Sequence, residues 1–344
     1  MTPTSSPTAR LASTTPDHRD DRREGGRWTP LQAAKNHALY AAAHALLFLL
    51  RPLSTPSLRR LGRTLGRALY VAGLSPRRIA LENLARVYPE KPPHERHALA
   101  SRAYAQLGSY LGDTVAQLHR RDPFVPLAFE DGSREVLEDA LREGHGVLFA
   151  SAHLGPWERV AGSLVRHGFP LTTLARESYD PRFVGLYDKL RAGVGVRAIY
   201  RGSAVAPLQI VRTLRRGGLL GVPMDLRSRV TSVDAPFLGS LAKTPVGPAR
   251  IALRTSCAVV VGTAVPAPTS PRDDSFDCPL ALRVTRIPSA DLTATIPGEI
   301  ELTRRVNDEL SARIRAFPEA WVWMHPRWGA LSDENTAPSL KETR

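Results

Sequence analysis

The sequence of 344 residues predicts an α/β protein, with helices flanking a mostly parallel, mixed β-sheet and an all-helical amino-terminal third. Two observations predict this fold class. From residue 146 onwards, short apolar runs alternate with helical patterns, which is typical of a largely parallel sheet. Before that point, apolar residues recur at helical spacing.

The chain divides into four segments by composition. Residues 1–30 are rich in Pro, Ser, Thr, Asp and Arg, which predicts a disordered extension. This extension has no apolar stretch followed by a small-residue cleavage site, so we predict no cleaved signal peptide. A helical region over residues 31–125 and an α/β domain over residues 126–330 follow, and residues 331–344 are predicted to be a disordered tail.

The charge of the chain indicates an anionic partner. The 47 Lys and Arg residues outnumber the 33 Asp and Glu residues, which gives a formal net charge of +14. Nucleic acid, a lipid headgroup surface and an acidic carrier protein all satisfy such an excess. Cys257 and Cys278 are too few and too far apart for a disulfide scaffold or a CxxC metal site. We therefore predict a reducing compartment and no zinc-finger protein.

An apolar segment opens the helical region. The stretch from His37 to Leu50 lacks charged residues, but 14 residues of helix reach only about 21 Å against a hydrocarbon core of about 30 Å. A marginal signal anchor and a helix lying in the membrane plane therefore both fit the segment. No run of 18 uninterrupted apolar residues occurs, which excludes a multi-pass membrane protein.

The next segment, Leu58 to Leu74, is predicted to be a basic amphipathic helix. One face carries Leu58, Leu61, Leu65, Leu69 and Ala72, and the opposite face carries Arg59, Arg60, Arg63 and Arg67. A core-packed helix with a solvated basic face and a helix on an anionic membrane both fit this pattern. The preceding apolar segment favours the membrane, and two more helices are predicted over Arg77–Pro89 and Pro93–His119.

The α/β domain is predicted from five apolar runs and the helical patterns between them. The predicted strands are Gly146–Ala150, Leu171–Ala175, Val196–Tyr200, Leu219–Met224 and Val259–Val265. The predicted helices are Trp157–His167, Arg182–Gly193, Ala206–Arg216 and Pro245–Thr255. In open α/β sheets the ligand crevice lies beyond the carboxyl ends of the strands, so candidate site residues are sought there.

Polar side chains follow four of these strands. His153 and Glu158 follow the first strand, Arg176 the second, Arg201 the third and Asp225 the fourth. Because the carboxyl ends of parallel strands meet at one edge, these residues are the candidate site.

The spacing of His153 and Glu158 indicates a catalytic dyad. The two residues would lie about 140° apart on a continuous helix, so a turn at Gly155-Pro156 must separate them. Pro156 suits the first helical position, and the helix macrodipole favours an ionised Glu158 near the helix start. That carboxylate would hold one histidine ring nitrogen while the other takes a proton from a hydroxyl. A loop histidine beside a helix-capping glutamate is the structural alternative.

Other catalytic classes lack their motifs. The sequence contains no G-x-S-x-G elbow, Walker loop or G-x-G-x-x-G motif, so a serine nucleophile, nucleotide hydrolysis and nicotinamide chemistry have no support.

The carboxyl-terminal stretch contains Trp321, Trp323 and Trp328, which suit an apolar lining, an interfacial belt or packing against the core.

The chain resembles the bacterial lipid A biosynthesis (late lauroyl/myristoyl) acyltransferase family, which includes the phosphatidylinositol mannoside acyltransferases. The resemblance extends from about Leu31 to Trp328. Its marks are Asn83-Leu84 with Tyr88-Pro89, the block His153 to Glu158, Ala175-Arg176, Gly221 to Asp225, Pro236 to Gly239 with Thr244-Pro245, and Pro318 to Trp328. Where relatives often have Asp-Gln-Asp, this chain has Asp225-Leu226-Arg227.

The resemblance implies a fold, an activity and roles for the site residues. It implies a glycerolipid-acyltransferase-like α/β domain, a membrane-associating helical region and a place at the cytoplasmic face of the bacterial inner membrane. It also implies acyl transfer from acyl carrier protein or acyl-CoA to a hydroxyl of a glycolipid such as a lipid A precursor. No cofactor or metal is implied. The family dyad falls on His153 and Glu158, and its supporting arginine and aspartate on Arg176 and Asp225.

The mechanism expected from these residues has no acyl-enzyme. Glu158 would orient His153, which deprotonates the acceptor as it attacks the thioester. Arg176 and Arg201 would bind acceptor phosphate, Asp225 would assist in substrate binding, and backbone N–H groups near Gly155 would stabilise the oxyanion.

The alternative is a non-catalytic basic module that binds a membrane surface or nucleic acid. It accounts for the net charge of +14 but not for polar groups at successive strand ends. Because no sheet with interleaved aromatic and basic residues and no recognition helix is predicted, nucleic acid is not expected as a partner.

Overall fold

The computed structural model describes residues 28–119, 122–176, 178, 180–228, 230–267 and 278–329. The disorder predicted for residues 1–30 therefore concerns mainly residues 1–27, which lie outside the described part of the chain. The predicted tail over residues 331–344 also lies outside it.

A seven-stranded mixed sheet forms the centre of the fold, as predicted. Its strands lie in the order β1-β9-β8-β2-β5-β3-β4, and all neighbouring pairs are parallel except β8 with β9. The strands are β1 (Ala128–Phe129), β2 (Val147–Ser151), β3 (Leu171–Ala175), β4 (Arg197–Tyr200), β5 (Leu219–Pro223), β8 (Ala258–Pro266) and β9 (Leu280–Ile287). β6 (Ser232–Phe237) and β7 (Ser240–Pro245) form a separate antiparallel hairpin.

Helices flank the sheet and form the amino-terminal region. The four helices of that region are α1 (Pro30–Leu50), α2 (Thr55–Val71), α3 (Ser75–Val87) and α4 (Pro93–His119). The helices that follow along the chain are α5 (Ser133–Arg142), α6 (Trp157–Arg166), α7 (Val184–Val194), α8 (Ala206–Arg215), α9 (Gly247–Thr255) and α10 (Ile296–Ala316). Short 3₁₀ turns occur at Pro181–Phe183 and Pro318–Ala320.

All five predicted strands and the four predicted helices between them are confirmed, within two residues at each end. The sequence pattern did not predict β1, β6, β7, β9, α5 or α10. β1 has only two residues, which is too short for a periodic signal. β9 closes the sheet as an antiparallel strand, a pairing that the alternation of strand and helix does not reveal.

Glycines determine how α2 packs. A Cβ at Gly62 would lie 2.0 Å from the carbonyl oxygen of Gly108, and one at Gly66 would lie 2.2 Å from that of Tyr104. The backbones of α2 and α4 are therefore in direct contact, a packing that only small residues permit. As a result, the face of α2 that sequence periodicity predicted to be apolar turns partly outward, and Leu65 and Leu69 are more than half exposed.

Two apolar cores lie on opposite faces of the sheet. Successive strand side chains point to opposite faces, so Leu148 and Phe149 belong to different clusters. One cluster includes Leu148, Leu220 and residues of α3, α4 and α10. The other includes Phe149 and residues of α5 and α6. The sheet itself separates the two cores, and the candidate site lies at its carboxyl edge.

Candidate active site

The register of β2 and β5 brings two of the predicted site residues together. These strands are parallel neighbours, with Ser151 opposite Pro223, and the ladder continues with a hydrogen bond from the Met224 N–H to the Ser151 carbonyl. His153 and Asp225 each follow two residues later, so they face each other beyond the sheet edge. The His153 Nδ1 lies 3.0 Å from the Asp225 Oδ1.

Asp225 is completely buried, and its carboxylate accepts three hydrogen bonds. The His153 ring donates to Oδ1, while Oδ2 accepts from the His153 backbone N–H and from the Trp321 indole N–H, both at 2.8 Å. Asp225 was predicted to assist in substrate binding, but its side chain has no exposed surface and its carboxylate contacts protein groups instead. Its position is that of a group that orients the histidine.

The contact between His153 and Asp225 favours the charged form of both side chains. Burial on its own lowers the pKa of His153, but the charge and hydrogen bond of Asp225, together with the charge of Glu158, raise that pKa above its ordinary value. Burial raises the pKa of Asp225, yet the charge of His153 and the hydrogen bonds from His153 and Trp321 lower it overall. An ionised Asp225 accepts the Nδ1 proton, which leaves Nε2 of His153 as the basic nitrogen.

Glu158 has a different partner from the predicted one. It lies in the first turn of α6, as expected, but its carboxylate accepts hydrogen bonds from the Arg191 side chain on α7 at 2.7 and 3.2 Å. Both side chains are only 14% exposed, so the ion pair is largely shielded from water. The orienting hydrogen bond expected from Glu158 is made by Asp225 instead, because β5 adjoins β2. Glu158 still influences His153, because its negative charge raises the pKa of the histidine.

The turn between His153 and α6 is present, but the N–H of Gly155 itself already has a protein partner. Gly155 adopts a φ of +69°, and Pro156 precedes the first helical residue. The Gly155 N–H donates to the Ala320 carbonyl at 3.0 Å. This bond attaches the turn to the carboxyl-terminal 3₁₀ helix, and it removes the Gly155 N–H from the set of groups that can contact a substrate.

A cavity of about 960 Å³ surrounds His153. Glu158, Arg176 and Arg201 line it, so four of the five predicted site residues share one space. Arg176 and Arg201 are exposed residues directly after β3 and β4, as predicted. The volume suits a ligand of substantial size.

Basic side chains dominate the charges around the cavity. Six arginines line it, and two carboxylates, Asp113 and Glu158, do so as well. Both carboxylates are paired with arginines, since Asp113 forms an ion pair with Arg59 of α2. The arginines that line the cavity are Arg159, Arg176, Arg191, Arg201, Arg227 and Arg250. This arrangement favours anionic ligands.

The carboxyl-terminal tryptophans are core residues and not an interfacial belt. Trp321 and Trp323 are fully buried, and their rings meet edge to face with centroids 4.8 Å apart. Trp328 is also buried. The indole of Trp321 supports Asp225, a role that its position in sequence, 96 residues away, does not indicate.

Two more residues of the site were not predicted from the sequence. Arg191 pairs with Glu158, and only the packing of α7 against α6 reveals it. His325 lines the cavity, and burial lowers its pKa to about 4, so its ring is neutral at physiological pH. A signal existed for His325, because it lies within the carboxyl-terminal block that carries the family resemblance. Within the described residues, no group of three or more His, Cys, Asp or Glu side chains is arranged to hold a metal ion.

Comparison with known proteins identifies the family of this chain. The family model of bacterial lipid A biosynthesis acyltransferases matches residues 31–330. A phosphatidylinositol mannoside acyltransferase of Mycobacterium tuberculosis is 26% identical over 270 residues, which are 76% of this chain and 79% of the relative. The lipid A biosynthesis myristoyltransferase of Escherichia coli is 27% identical over 272 residues, which are 78% and 79% of the two chains. The chain thus belongs to the bacterial lipid A biosynthesis acyltransferase family.

Proposed function

We propose that this protein transfers a fatty acyl chain from a thioester, carried by acyl carrier protein or coenzyme A, to a hydroxyl of a membrane glycolipid. The observation that carries the proposal is the hydrogen bond between His153 and the buried Asp225 at the edge of a large cavity. It provides an oriented general base with no adjacent protein nucleophile. Relatives named for acyl transfer to lipid A and to phosphatidylinositol mannoside support the same reaction class.

The reaction proceeds in one displacement. Nε2 of His153 removes the proton from the acceptor hydroxyl while the oxygen attacks the thioester carbonyl. Asp225 holds the ring through Nδ1 and stabilises the imidazolium that forms. The tetrahedral intermediate then collapses, the C–S bond breaks, and the proton on Nε2 passes to the leaving thiolate. The products are an ester and a free thiol, so no acyl-enzyme is required.

The arginines around the cavity bind phosphate. Arg176 follows β3, the neighbour of β5, and Arg201 follows β4, the edge strand beyond β3. Both residues line the same cavity as His153. Guanidinium groups form charge-assisted, two-point hydrogen bonds with phosphate oxygens. We assign these two residues to the phosphate of the acceptor, and the remaining positive field to steering an acidic acyl carrier or the coenzyme A phosphates.

The amino-terminal helices provide the contact with the membrane, at the cytoplasmic face of the bacterial inner membrane. Apolar side chains of α1, among them Leu46, Phe48 and Leu49, are more than half exposed, as are Leu65 and Leu69 of α2. None of the helices in the described residues has the length and apolar character needed to span a bilayer. These side chains suit insertion in the membrane plane, with Arg60 and Arg67 near anionic headgroups.

We expect the double variant Leu46→Glu with Leu49→Glu to lose membrane binding. Burying one leucine is worth about 1.5–3 kcal/mol, so removing two weakens binding by at least about 100-fold. Flotation with vesicles that contain phosphatidylglycerol measures the effect. Leu208→Glu on α8 is the matched control, since Leu208 is 60% exposed but lies in the α/β domain. A double variant that floats like the unmodified protein would exclude α1 as the membrane contact.

The proposed reaction is tested by label transfer. Purified protein is incubated with radiolabelled acyl carrier protein or acyl-CoA and, in separate reactions, a lipid A precursor or phosphatidylinositol mannoside. We expect label in a glycolipid ester, and the reaction that succeeds identifies donor and acceptor. Label that stays on the thioester in every reaction, together with salt-sensitive binding of DNA, would instead favour the non-catalytic basic module.

A further inference from the structure

The cavity around His153 extends into the apolar layer between the sheet and α6. We call this part the α6 lobe, and its lining is Phe149, Val160, Ala161, Leu171, Gly221 and Gly262. Phe149, Val160 and Leu171 belong to the apolar core on that face of the sheet. The lobe therefore connects the basic nitrogen of His153 with an apolar interior.

The floor of the α6 lobe is formed by β5, β2 and β8, and two of its residues, Gly221 and Gly262, carry no side chain. Phe149 on β2 lies directly opposite Gly221 on β5, while Gly262 lies on β8, the neighbour of β2 on its other side. On the same face of the sheet, the strand neighbours of Gly221 are Leu219 and Pro223, and those of Gly262 are Val260 and Ala264. Two glycines therefore flank one phenylalanine in strands that otherwise carry larger side chains.

Gly262 decides where the Phe149 ring lies. A Cβ at position 262 would be only 1.9 Å from Cζ of Phe149, so the ring occupies the space that a side chain at position 262 would fill. The ring thereby leans over β8. On its other side, a Cβ at Gly221 would meet Leu171 first, at 3.1 to 3.6 Å. The side chain of Leu171 therefore lies directly above Gly221, and both residues line the cavity.

We propose that Gly221 and Gly262, together with the Phe149 ring, set the length of the acyl chain that the protein accepts. The inference rests on the proposed acyl transfer and deepens it. An apolar lobe that begins at the reacting nitrogen and ends at a fixed floor binds an unbranched alkyl chain, with its thioester end at His153. An acyl chain longer than the lobe leaves methylene groups in water, and a shorter acyl chain does not reach the floor of the lobe.

Three variants change the floor in defined ways. Gly221→Val places a side chain directly in the lobe. Gly262→Ala displaces the Phe149 ring toward Gly221, and adding Phe149→Leu to Gly262→Ala removes the displaced ring. Gly185→Ala is the matched control, because a Cβ there meets nothing within 4 Å and the residue does not line the cavity. Thermal unfolding verifies that each variant folds, and Gly221→Ala replaces any variant that does not.

Equilibrium dialysis with saturated acyl-CoA thioesters, from decanoyl to stearoyl, measures the preferred length independently of the acceptor. We expect Gly221→Val and Gly262→Ala to prefer a shorter chain than the unmodified protein, and the double variant to return toward the original preference. Each methylene excluded from the lobe weakens binding by about fourfold, because burying one CH₂ is worth about 0.8 kcal/mol. Gly185→Ala keeps the original preference.

The binding series separates this inference from the proposed function. An unchanged length preference in folded Gly221 and Gly262 variants would overturn the role of the lobe, while acyl transfer by the same proteins would still support the function. Shifted binding without transfer to any acceptor would contradict the function and leave the length determinant standing.

Discussion

The variant His153→Ala is expected to transfer no measurable label from acyl thioester to glycolipid. The alanine cannot accept the proton of the acceptor hydroxyl, and general base catalysis contributes about 10²- to 10⁴-fold to such reactions. The side chain is 27% exposed and lies at the edge of the cavity, outside the two apolar cores, so the variant should fold and still bind vesicles. Initial rates of label transfer, with flotation as the second measurement, test both expectations.

His145→Ala is the matched control for this variant. His145 is an exposed histidine that precedes β2 at the amino end of the strand, whereas His153 follows the carboxyl end. The control should retain full activity, because it lies at the opposite edge of the sheet. If His153→Ala remained nearly as active as His145→Ala, the base would have to be another residue and the proposed mechanism would be wrong.

The second large effect is expected for Asp225→Asn. The amide has one oxygen and one NH₂ group, but the site presents three N–H donors. The amide oxygen can accept from the His153 backbone and Trp321, which turns the NH₂ group toward Nδ1. Nδ1 must then act as an acceptor, so the ring proton moves to Nε2. A histidine with its proton on Nε2 cannot act as the base, and the loss in kcat is about 10³- to 10⁴-fold.

The pH profile distinguishes Asp225 from Glu158. In the unmodified protein the pKa of His153 is raised above its ordinary value of 6.5, so the acidic limb of kcat/KM should lie above pH 6.5. Activity falls below that limb because the base becomes protonated. Asp225→Asn removes the largest favourable influence on the imidazolium, and the remaining activity should persist to lower pH.

Glu158→Gln is the comparison variant. It removes a charge that also raises the pKa of His153 but keeps the hydrogen bond from His153 to Asp225. The acidic limb of Glu158→Gln should therefore shift less, and its kcat should fall less, than in Asp225→Asn. A larger loss in Glu158→Gln than in Asp225→Asn would restore Glu158 as the residue that orients His153.

The site was predictable where it depends on strand ends. His153, Arg176, Arg201 and Asp225 follow the runs that form β2, β3, β4 and β5, and any parallel sheet places such residues at one edge. The choice of partner for His153 was not predictable in the same way. Glu158 is five residues away and Asp225 is 72 residues away, and a single sequence does not show which strands are neighbours.

The packing of the amino-terminal helices was also only partly predictable from the sequence. Periodicity correctly predicted a helix with leucines on one face and arginines on another. It did not predict that Gly62 and Gly66 would form the contact with α4, because glycine carries no apolar signal. This contact leaves Leu65 and Leu69 exposed and places Arg59 in an ion pair with Asp113, which removes Arg59 from the set of arginines expected to face lipid headgroups.

The sequence by itself determined the α/β class and the five central strands, and it placed the candidate site residues at the carboxyl ends of those strands. These features follow from local periodicity and from the rule that parallel strands end together. Only the tertiary structure decided that Asp225, itself bonded to Trp321, holds His153, and that Glu158 pairs with Arg191. It also decided that Gly221 and Gly262 line the cavity beside Phe149. Each of these depends on contacts between distant segments, and strand order and helix packing, rather than local pattern, set those contacts.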